Sequence, residues 1–165
     1  MIAKIATAET IIVSIPLKRP VEGHPYLGRR ATSNFLLLQL KTHDGLEAFG
    51  LAHTSTAGKA RALEAMVREI LRNLVGQSAL DHEKLYERAY SFLTDMGHSG
   101  AALQALAAID IALWDLKGKA LRQPLYRLLG ARRDRVPCYA SGGLRRQQSI
   151  EELVADARDF VSRGF

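Results

Sequence analysis

The chain has 165 residues, of which 47% are hydrophobic and 24% are charged, a composition typical of a globular domain with a real core and unlike that of a disordered chain. No apolar run reaches the roughly 20 residues that a membrane-spanning helix needs, so we expect no membrane partner. The net charge of +6 suggests nucleic-acid binding, but the arginine pairs are scattered over predicted turns with no aromatic residues among them, and we expect no nucleic-acid partner.

The N-terminus and the cysteine content indicate the compartment. Glu9 interrupts the apolar N-terminal run, which argues against a signal peptide. The single cysteine, Cys138, excludes a disulfide within the chain and suits a reduced compartment. We therefore expect a cytoplasmic protein in which Cys138 is a small core residue of a strand.

The first third of the chain predicts a three-stranded antiparallel sheet. Residues 2–15 alternate loosely and are rich in Ile, Val and Thr, which favours a first strand. Residues 34–42 are almost continuously apolar, Asp44-Gly45 is a strong hairpin signal, and residues 46–53 return as the third strand.

The segment between the first two strands predicts a long loop. Pro16 is expected to end the first strand, and residues 17–33 contain two further prolines and two glycines. A connection of about 15 residues without secondary structure is usually functional or mobile.

Helical periodicity begins after Gly58. Apolar residues spaced by three and four positions predict a helix that ends near Gly76, and Asp81 is a suitable N-cap for a second helix that runs to about Asp95. Residues 101–116 are apolar on nearly all sides, which predicts a buried central helix.

Lys117-Gly118-Lys119 suits the C-terminus of the central helix, and a short helix is expected over residues 125–129. After Gly130, the pattern predicts a strand over residues 136–140 and a helix over residues 150–162. A parallel strand needs neighbours on both edges, and the sequence supplies none, so we interpret the chain as truncated after its last residue.

Two runs carry a family resemblance. DIALWDLKGK at residues 110–119 and PLYRLLG at residues 124–130 resemble the mandelate racemase and muconate lactonizing enzyme group of the enolase superfamily. The resemblance covers essentially the whole chain and implies a capping domain at residues 1–130, followed by the first strand and helix of an incomplete TIM-type barrel at residues 131–165. The implied fold class is α+β, a three-stranded antiparallel sheet with a helical array followed by that first β/α unit.

Enzymes of the resembled group abstract the proton α to a carboxylate, with Mg²⁺ to stabilise the enediolate and a Lys or His base. Their base and their acidic metal ligands lie on barrel strands that this chain does not match. The resemblance therefore implies no catalytic residue and no metal ligand here, and no Mg²⁺ bound by this chain alone. It implies a Mg²⁺-dependent lyase or isomerase for the full-length protein, either an acid-sugar dehydratase or a mandelate-type racemase, and predicts that this chain alone is inactive.

By position, the chain matches the two loops with which the capping domain of this group closes over a hydroxycarboxylate or acid-sugar substrate. These loops correspond to residues 19–30 and 53–57. The resemblance implies substrate contacts from His24, Tyr26, His53, Thr54, Ser55 and Ser141, the last of which follows the first barrel strand. The alternative is that these are ordinary polar loop residues and that Ser141 only starts the Ser-Gly-Gly turn.

Two acidic residues of the central helix lie outside this site. Asp110 and Asp115 project roughly 140° apart around a helix, so they are expected to be structural, satisfying backbone or arginine donors. Trp114 is expected to be a core residue between the capping domain and the barrel.

A rival interpretation is a non-catalytic interaction module. It would self-associate through the exposed first barrel strand and the apolar faces of residues 101–116 and 150–162. For the full-length enzyme we also expect a homo-oligomer.

Overall fold

The structure, a computed structural model, describes residues 3–22, 28–141 and 148–165, without the side chains of residues 19 and 22. The chain divides into two compact units, which meet in sequence between Leu129 and Gly130. None of the described helices combines the length and the apolar character needed to cross a membrane.

The first unit contains a three-stranded sheet in the order β1-β2-β3. Strand β1 spans Ile5–Glu22, β2 spans Arg29–Thr42 and β3 spans Glu47–Thr54. Both neighbouring pairs are antiparallel, which confirms the predicted sheet.

The predicted loop over residues 17–33 is wrong for most of its length. Strand β1 continues past Pro16 to Glu22, and the register of its pairing with β2 shifts between Pro16 and Val21. Pro16 is tolerated because β1 is an edge strand, where a missing N–H need not break a ladder hydrogen bond. Residues 23–27 of the predicted loop lie outside the described residues.

Helices follow the sheet. Helix α1 spans Ala57–Leu71, a short 3₁₀ turn spans Ala79–Asp81, and helix α2 spans His82–Phe92. The predicted ends near Gly76 and Asp95 are too late, because turns occupy the residues after each helix.

The buried central helix α3 spans Gly100–Leu121 and is followed by the short helix α4, Leu125–Leu128. The prediction of a buried central helix is confirmed, but its predicted exit at residues 117–119 lies inside the helix. Gly118 serves close packing there, since a Cβ at this position would lie 3.1 Å from the Gln123 carbonyl oxygen and from Leu125 Cδ2.

The core lies between the sheet and the helices. Alternate residues of β2 are fully buried, as expected for a strand with one face against the core. The described core side chains with the largest volumes come from β1, β2, α1, α2, α3 and the turns that follow α1 and α2: Ile5, Leu36, Leu38, Leu40, Ile70, Leu74, Leu85, Leu93, Leu106, Ile109, Leu113 and Leu116.

Gly50 sets the distance between β3 and α3. A Cβ at Gly50 would overlap the carbonyl oxygen of Ala108 and would lie 3.0 Å from Ala112 Cβ. The absence of a side chain on the strand and the small side chains on the helix therefore allow the two backbones to touch. Close backbone approach is one of the few reasons for glycine inside a strand.

Two side chains of α3 bind the edge of β3 that does not face β2. The Asp115 carboxylate accepts a hydrogen bond from the Phe49 amide at 2.9 Å, and Lys119 Nζ donates to the Glu47 carbonyl oxygen at 2.8 Å. Lys119 Nζ also lies 2.7 Å from Asp115 Oδ2. The expectation that Asp115 satisfies a backbone donor agrees with this contact, and the pair supplies the partners that a fourth strand would have supplied.

The second unit contains helix α5, Ile150–Ser162, which begins with a capping box between Ser149 and Glu152. The predicted strand over residues 136–140 is not formed in the structure, because no described segment runs beside it to complete a ladder. Cys138 is exposed in this stretch, so the prediction of a core cysteine is wrong for the structure described here.

The contact at Gly50 generates a prediction. Gly50→Ala should lower the free energy of unfolding by about 3 kcal/mol, the upper end of what overpacking costs, because the strand and helix backbones must separate to admit the new methyl group. Gly58→Ala is the matched control. Gly58 lies in the first turn of α1, and the heavy atom nearest to a Cβ at this position would be Thr56 Oγ1 at 3.9 Å. The control should raise stability by about 0.5–1 kcal/mol. Urea unfolding followed by circular dichroism measures both, and equal effects would contradict the packing argument.

Candidate functional site

The structure brings three of the six predicted site residues together. His53 and Thr54 end β3, and Ser55 follows them before α1 begins at Ala57. His24 and Tyr26 lie outside the described residues. Ser141 is exposed in the second unit.

His53 is exposed on the sheet face that points away from the helices. Its Nε2 atom lies 2.9 Å from Ser33 Oγ on the neighbouring strand. Its ring packs at 5.1 Å, tilted by 55°, against the ring of Phe35, with which it is paired across β2 and β3. The imidazole is therefore oriented by one hydrogen bond and one aromatic contact while remaining open to solvent.

Thr54 points the other way and is 5% exposed. Its hydroxyl lies 2.9 Å from the Thr56 carbonyl oxygen and 3.4 Å from the Asn34 carbonyl oxygen, and it donates within the protein. A buried hydroxyl that already donates internally is not placed to contact a ligand. The period-two alternation of a strand, with His53 outward, predicts this inward position for Thr54.

Ser55 is half-buried, and its hydroxyl lies 3.0 Å from Lys59 Nζ. Lys59 is in the first turn of α1, where its amide also donates to Thr56 Oγ1, the N-cap of the helix. Lys59 is not among the site residues predicted from the sequence. Its spacing of four positions from Ser55 was the available signal.

Asn34 is the second residue that sequence reasoning missed. It is a buried polar residue on β2, paired with Thr54, and its side-chain amide lies 3.3 Å from the Ser55 carbonyl oxygen. The signal was present in the sequence, since this asparagine stands directly before the apolar run Phe35-Leu36-Leu37-Leu38.

Taken together, this end of the sheet presents an imidazole, a hydroxyl and an ammonium group from His53, Ser55 and Lys59. Such groups suit a ligand rich in hydroxyl and carboxylate oxygens, because an ammonium group binds carboxylates and a hydroxyl both donates and accepts. We refer to residues 53–59 as the recognition segment.

A charged pair lies at the opposite end of the β2–β3 hairpin. Lys41 Nζ and Glu47 Oε1 are 2.9 Å apart on the surface. Their hydrogen bond lowers the pKa of the Glu47 carboxyl and raises the pKa of the Lys41 ammonium, and the attraction between the two charges acts in the same directions. These shifts belong to the hairpin turn and not to the recognition segment.

The described residues do not fit a metal ion. No group of three or more His, Cys, Asp or Glu side chains lies together in the part of the chain that the structure describes. They therefore offer no ligand set for Mg²⁺, whose protein ligands are usually carboxylates.

Asp110 has a partner that the sequence analysis did not foresee. Its carboxylate lies 2.8 Å from Nε2 of His82, which is 4% exposed at the start of α2. The His82 ring packs 4.3 Å from the ring of Trp114. These contacts join α2 to α3, so Asp110 and Trp114 act in helix packing within the first unit.

Comparison with known proteins finds a dehydratase and a cycloisomerase among the relatives of this chain. The chain is 35% identical over 144 residues to L-talarate/galactarate dehydratase of Salmonella typhimurium, covering 85% of this chain and 36% of that protein. It is 33% identical over 162 residues to D-galactarolactone cycloisomerase of Agrobacterium fabrum, covering 97% of this chain and 41% of that protein.

A solved structure extends the comparison to the fold. The crystal structure of L-talarate/galactarate dehydratase from Salmonella typhimurium, liganded with Mg and L-lyxarohydroxamate, matches with a TM-score of 0.87 and 30% identity, over 98% of this chain and 42% of that one. The predicted α+β class is thereby confirmed. The chain spans less than half the length of each of these relatives.

The sequence profile described as "Mandelate racemase / muconate lactonizing enzyme, N-terminal domain" matches residues 6–130. This match covers the sheet and helices α1 to α4, including both runs that carry the resemblance. The chain therefore belongs to the mandelate racemase / muconate lactonizing enzyme family of the enolase superfamily, and its first unit has the fold of that family's N-terminal domain.

Proposed function

We propose that the protein containing this chain is a Mg²⁺-dependent acid-sugar dehydratase, and that residues 1–130 are its capping domain. The observation that carries the proposal is the recognition segment, where His53, Ser55 and Lys59 present polar groups at one end of the sheet. A polyhydroxy carboxylate needs donors for its acid group and mixed donors and acceptors for its hydroxyls. The dehydratase relatives, which are named for talarate and galactarate, support the same substrate class.

In this proposal the chain binds and orients the substrate. His53 contacts a substrate hydroxyl with its ring, and Lys59, beside the Ser55 hydroxyl, attracts a carboxylate. The proton α to the carboxylate is removed elsewhere, since the resemblance assigns the base and the metal ligands to barrel strands that this chain does not match. Residues 131–165 are proposed as the start of the barrel domain, and Ser141 as a residue at the mouth of the site.

The whole protein offers the test of this function. With Mg²⁺ present, galactarate or L-talarate should lose water and give an α-keto acid, which is measured as its semicarbazone, and EDTA should abolish turnover. The 165-residue chain alone should give none. A racemase of the mandelate type would instead incorporate deuterium at the α carbon in D₂O without loss of water. Absence of both reactions across a panel of acid sugars would contradict the proposal.

The role of His53 has its own test. In the whole protein, His53→Ala should raise KM for the acid sugar roughly tenfold while changing kcat less, because one ground-state contact is lost. The matched control is His43→Ala, an exposed histidine in the turn at the other end of the hairpin. Steady-state kinetics over the same substrate panel measures both variants. Equal changes in the two would contradict a binding role for His53.

The rival interpretation, an association module, is favoured by one observation. Helix α5 exposes apolar residues, with Ile150 at 75% and Val161 at 71% of full exposure. Self-association of the 165-residue chain through this face should appear as a dimer or larger species in light scattering, and Val161→Glu should shift it to monomer. A chain that is monomeric before the substitution would contradict this interpretation. Residues 136–140 add no support, since they form no strand in the structure.

A further inference from the structure

Asn34 is a polar side chain inside an apolar layer. It is 3% exposed, although the next residues of its strand are Phe35, Leu36, Leu37 and Leu38. A buried amide without partners would cost stability, so its contacts must account for its presence.

The contacts of Asn34 reach three separate parts of the chain. Its Oδ1 atom accepts a hydrogen bond from the Ser14 hydroxyl of β1 at 2.7 Å. Its Nδ2 atom donates to Thr32 Oγ1 at 3.3 Å and to the Ser55 carbonyl oxygen at 3.3 Å. One side chain therefore joins β1 and its own strand, β2, to the recognition segment.

This set of contacts requires both an acceptor and a donor. An amide supplies both at nearly the same volume, whereas a carboxylate only accepts and a leucine side chain does neither. With aspartate at position 34, the Ser55 carbonyl oxygen would lose its donor and face a negative charge. The amide of Asn34 is therefore the group that allows this side chain to bind the Ser55 carbonyl oxygen and hold its backbone in place.

A second contact ties the same two parts together. The Thr54 hydroxyl lies between the Asn34 and Thr56 carbonyl oxygens, and Thr56 caps the N-terminus of α1. These hydrogen bonds hold the backbone on both sides of Ser55 against β2. His53 and Lys59, at the two ends of the recognition segment, receive their positions from this short backbone.

We propose that Asn34 is a positioning residue that fixes the backbone of the recognition segment, and so the direction in which His53, Ser55 and Lys59 meet the substrate. The substrate part of this inference rests on the proposed function. The positioning part concerns this chain alone and is tested independently.

The first experiment measures amide hydrogen exchange by NMR in the 165-residue chain. Asn34→Asp should accelerate exchange of the Lys59 and Ala60 amides, which both donate to Thr56, by roughly tenfold, while Leu36 and Leu38 in the same sheet change little. Ser14→Ala is the matched control, because it removes another hydrogen bond of the same side chain and leaves the bond to Ser55. It should leave the Lys59 and Ala60 amides unchanged.

Two outcomes would overturn the positioning role. One is unchanged exchange at Lys59 and Ala60 in Asn34→Asp, and the other is acceleration spread evenly over the sheet or equal in Ser14→Ala. If Asn34→Asp does not fold, Asn34→Ala decides, since it removes the donor to the Ser55 carbonyl oxygen without introducing a charge. It should accelerate the same two amides, and no change there would overturn the inference.

The second experiment uses the whole protein and the substrate panel. Asn34→Asp should raise KM several-fold and change the ranking of acid sugars with a smaller effect on kcat, whereas Ser14→Ala should leave both near their original values. Loss of kcat alone would overturn the substrate part of the inference. If the unsubstituted protein turns over no acid sugar, the proposed function fails, and the exchange experiment still decides the positioning role.

Discussion

The close contact between β3 and α3 at Gly50 is the constraint on which the rest of the first unit depends. The strand carries no side chain at the point of contact, and the helix presents Ala108 and Ala112 to it. The helix backbone is therefore brought against the strand, close enough for the Asp115 and Lys119 side chains to reach the strand edge. A larger residue at Gly50 would separate the elements and would break those edge contacts together with the packing.

The contacts at the edge of β3 explain why the sheet does not need a fourth strand there. A free strand edge exposes unpaired amide and carbonyl groups that can recruit another strand. On β3, the Phe49 amide and the Glu47 carbonyl oxygen are instead bonded to Asp115 and Lys119. The DIALWDLKGK run that carries the family resemblance is thus, in this chain, a set of packing residues.

Asp110, at the start of the same run, is also a packing residue, since its carboxylate binds His82 of α2. The residues of this run fix how α3 meets its neighbours. In the proposed function, substrate choice depends instead on the recognition segment at the far end of β3.

Sequence reasoning was most successful where structure depends on local pattern. The apolar run at residues 34–42 and the Asp44-Gly45 turn predict the hairpin of β2 and β3, and the apolar run at residues 101–116 predicts the buried helix α3. It was wrong where a distant partner decides the outcome. Pro16 predicts the end of β1, but β1 is an edge strand, and its pairing with β2 continues beyond Pro16.

The same limit applies to residues 136–140. Their composition favours a strand, and the described chain has no neighbouring segment to pair with them. The composition of these residues favours an extended backbone, but a strand also needs hydrogen bonds to a neighbouring strand. The local pattern therefore could not decide this element.

For the candidate site, position along the chain could be predicted and side-chain direction could not. The resemblance assigns His53, Thr54 and Ser55 to one loop over residues 53–57, and period-two alternation applies only to a strand. In the structure β3 continues to Thr54, so the His53 side chain lies outward and the Thr54 side chain inward. Asn34 and Lys59 were missed because their relevance depends on contacts across the sheet and with the first turn of α1.

In the proposed function, this arrangement separates the residues that face the substrate from those that position them. The Ser55 carbonyl oxygen is bonded to Asn34 of β2, and Thr56 binds the first turn of α1 through its carbonyl oxygen and its hydroxyl, so the His53 and Ser55 side chains can be exchanged without releasing that backbone. A substitution of the buried Asn34 has the opposite effect. It leaves the side chains of His53, Ser55 and Lys59 unchanged but moves the backbone that carries them. New substrate preferences would therefore be expected to arise from substitutions at positions 53, 55 and 59, with the asparagine at position 34 kept as the fixed reference for their direction.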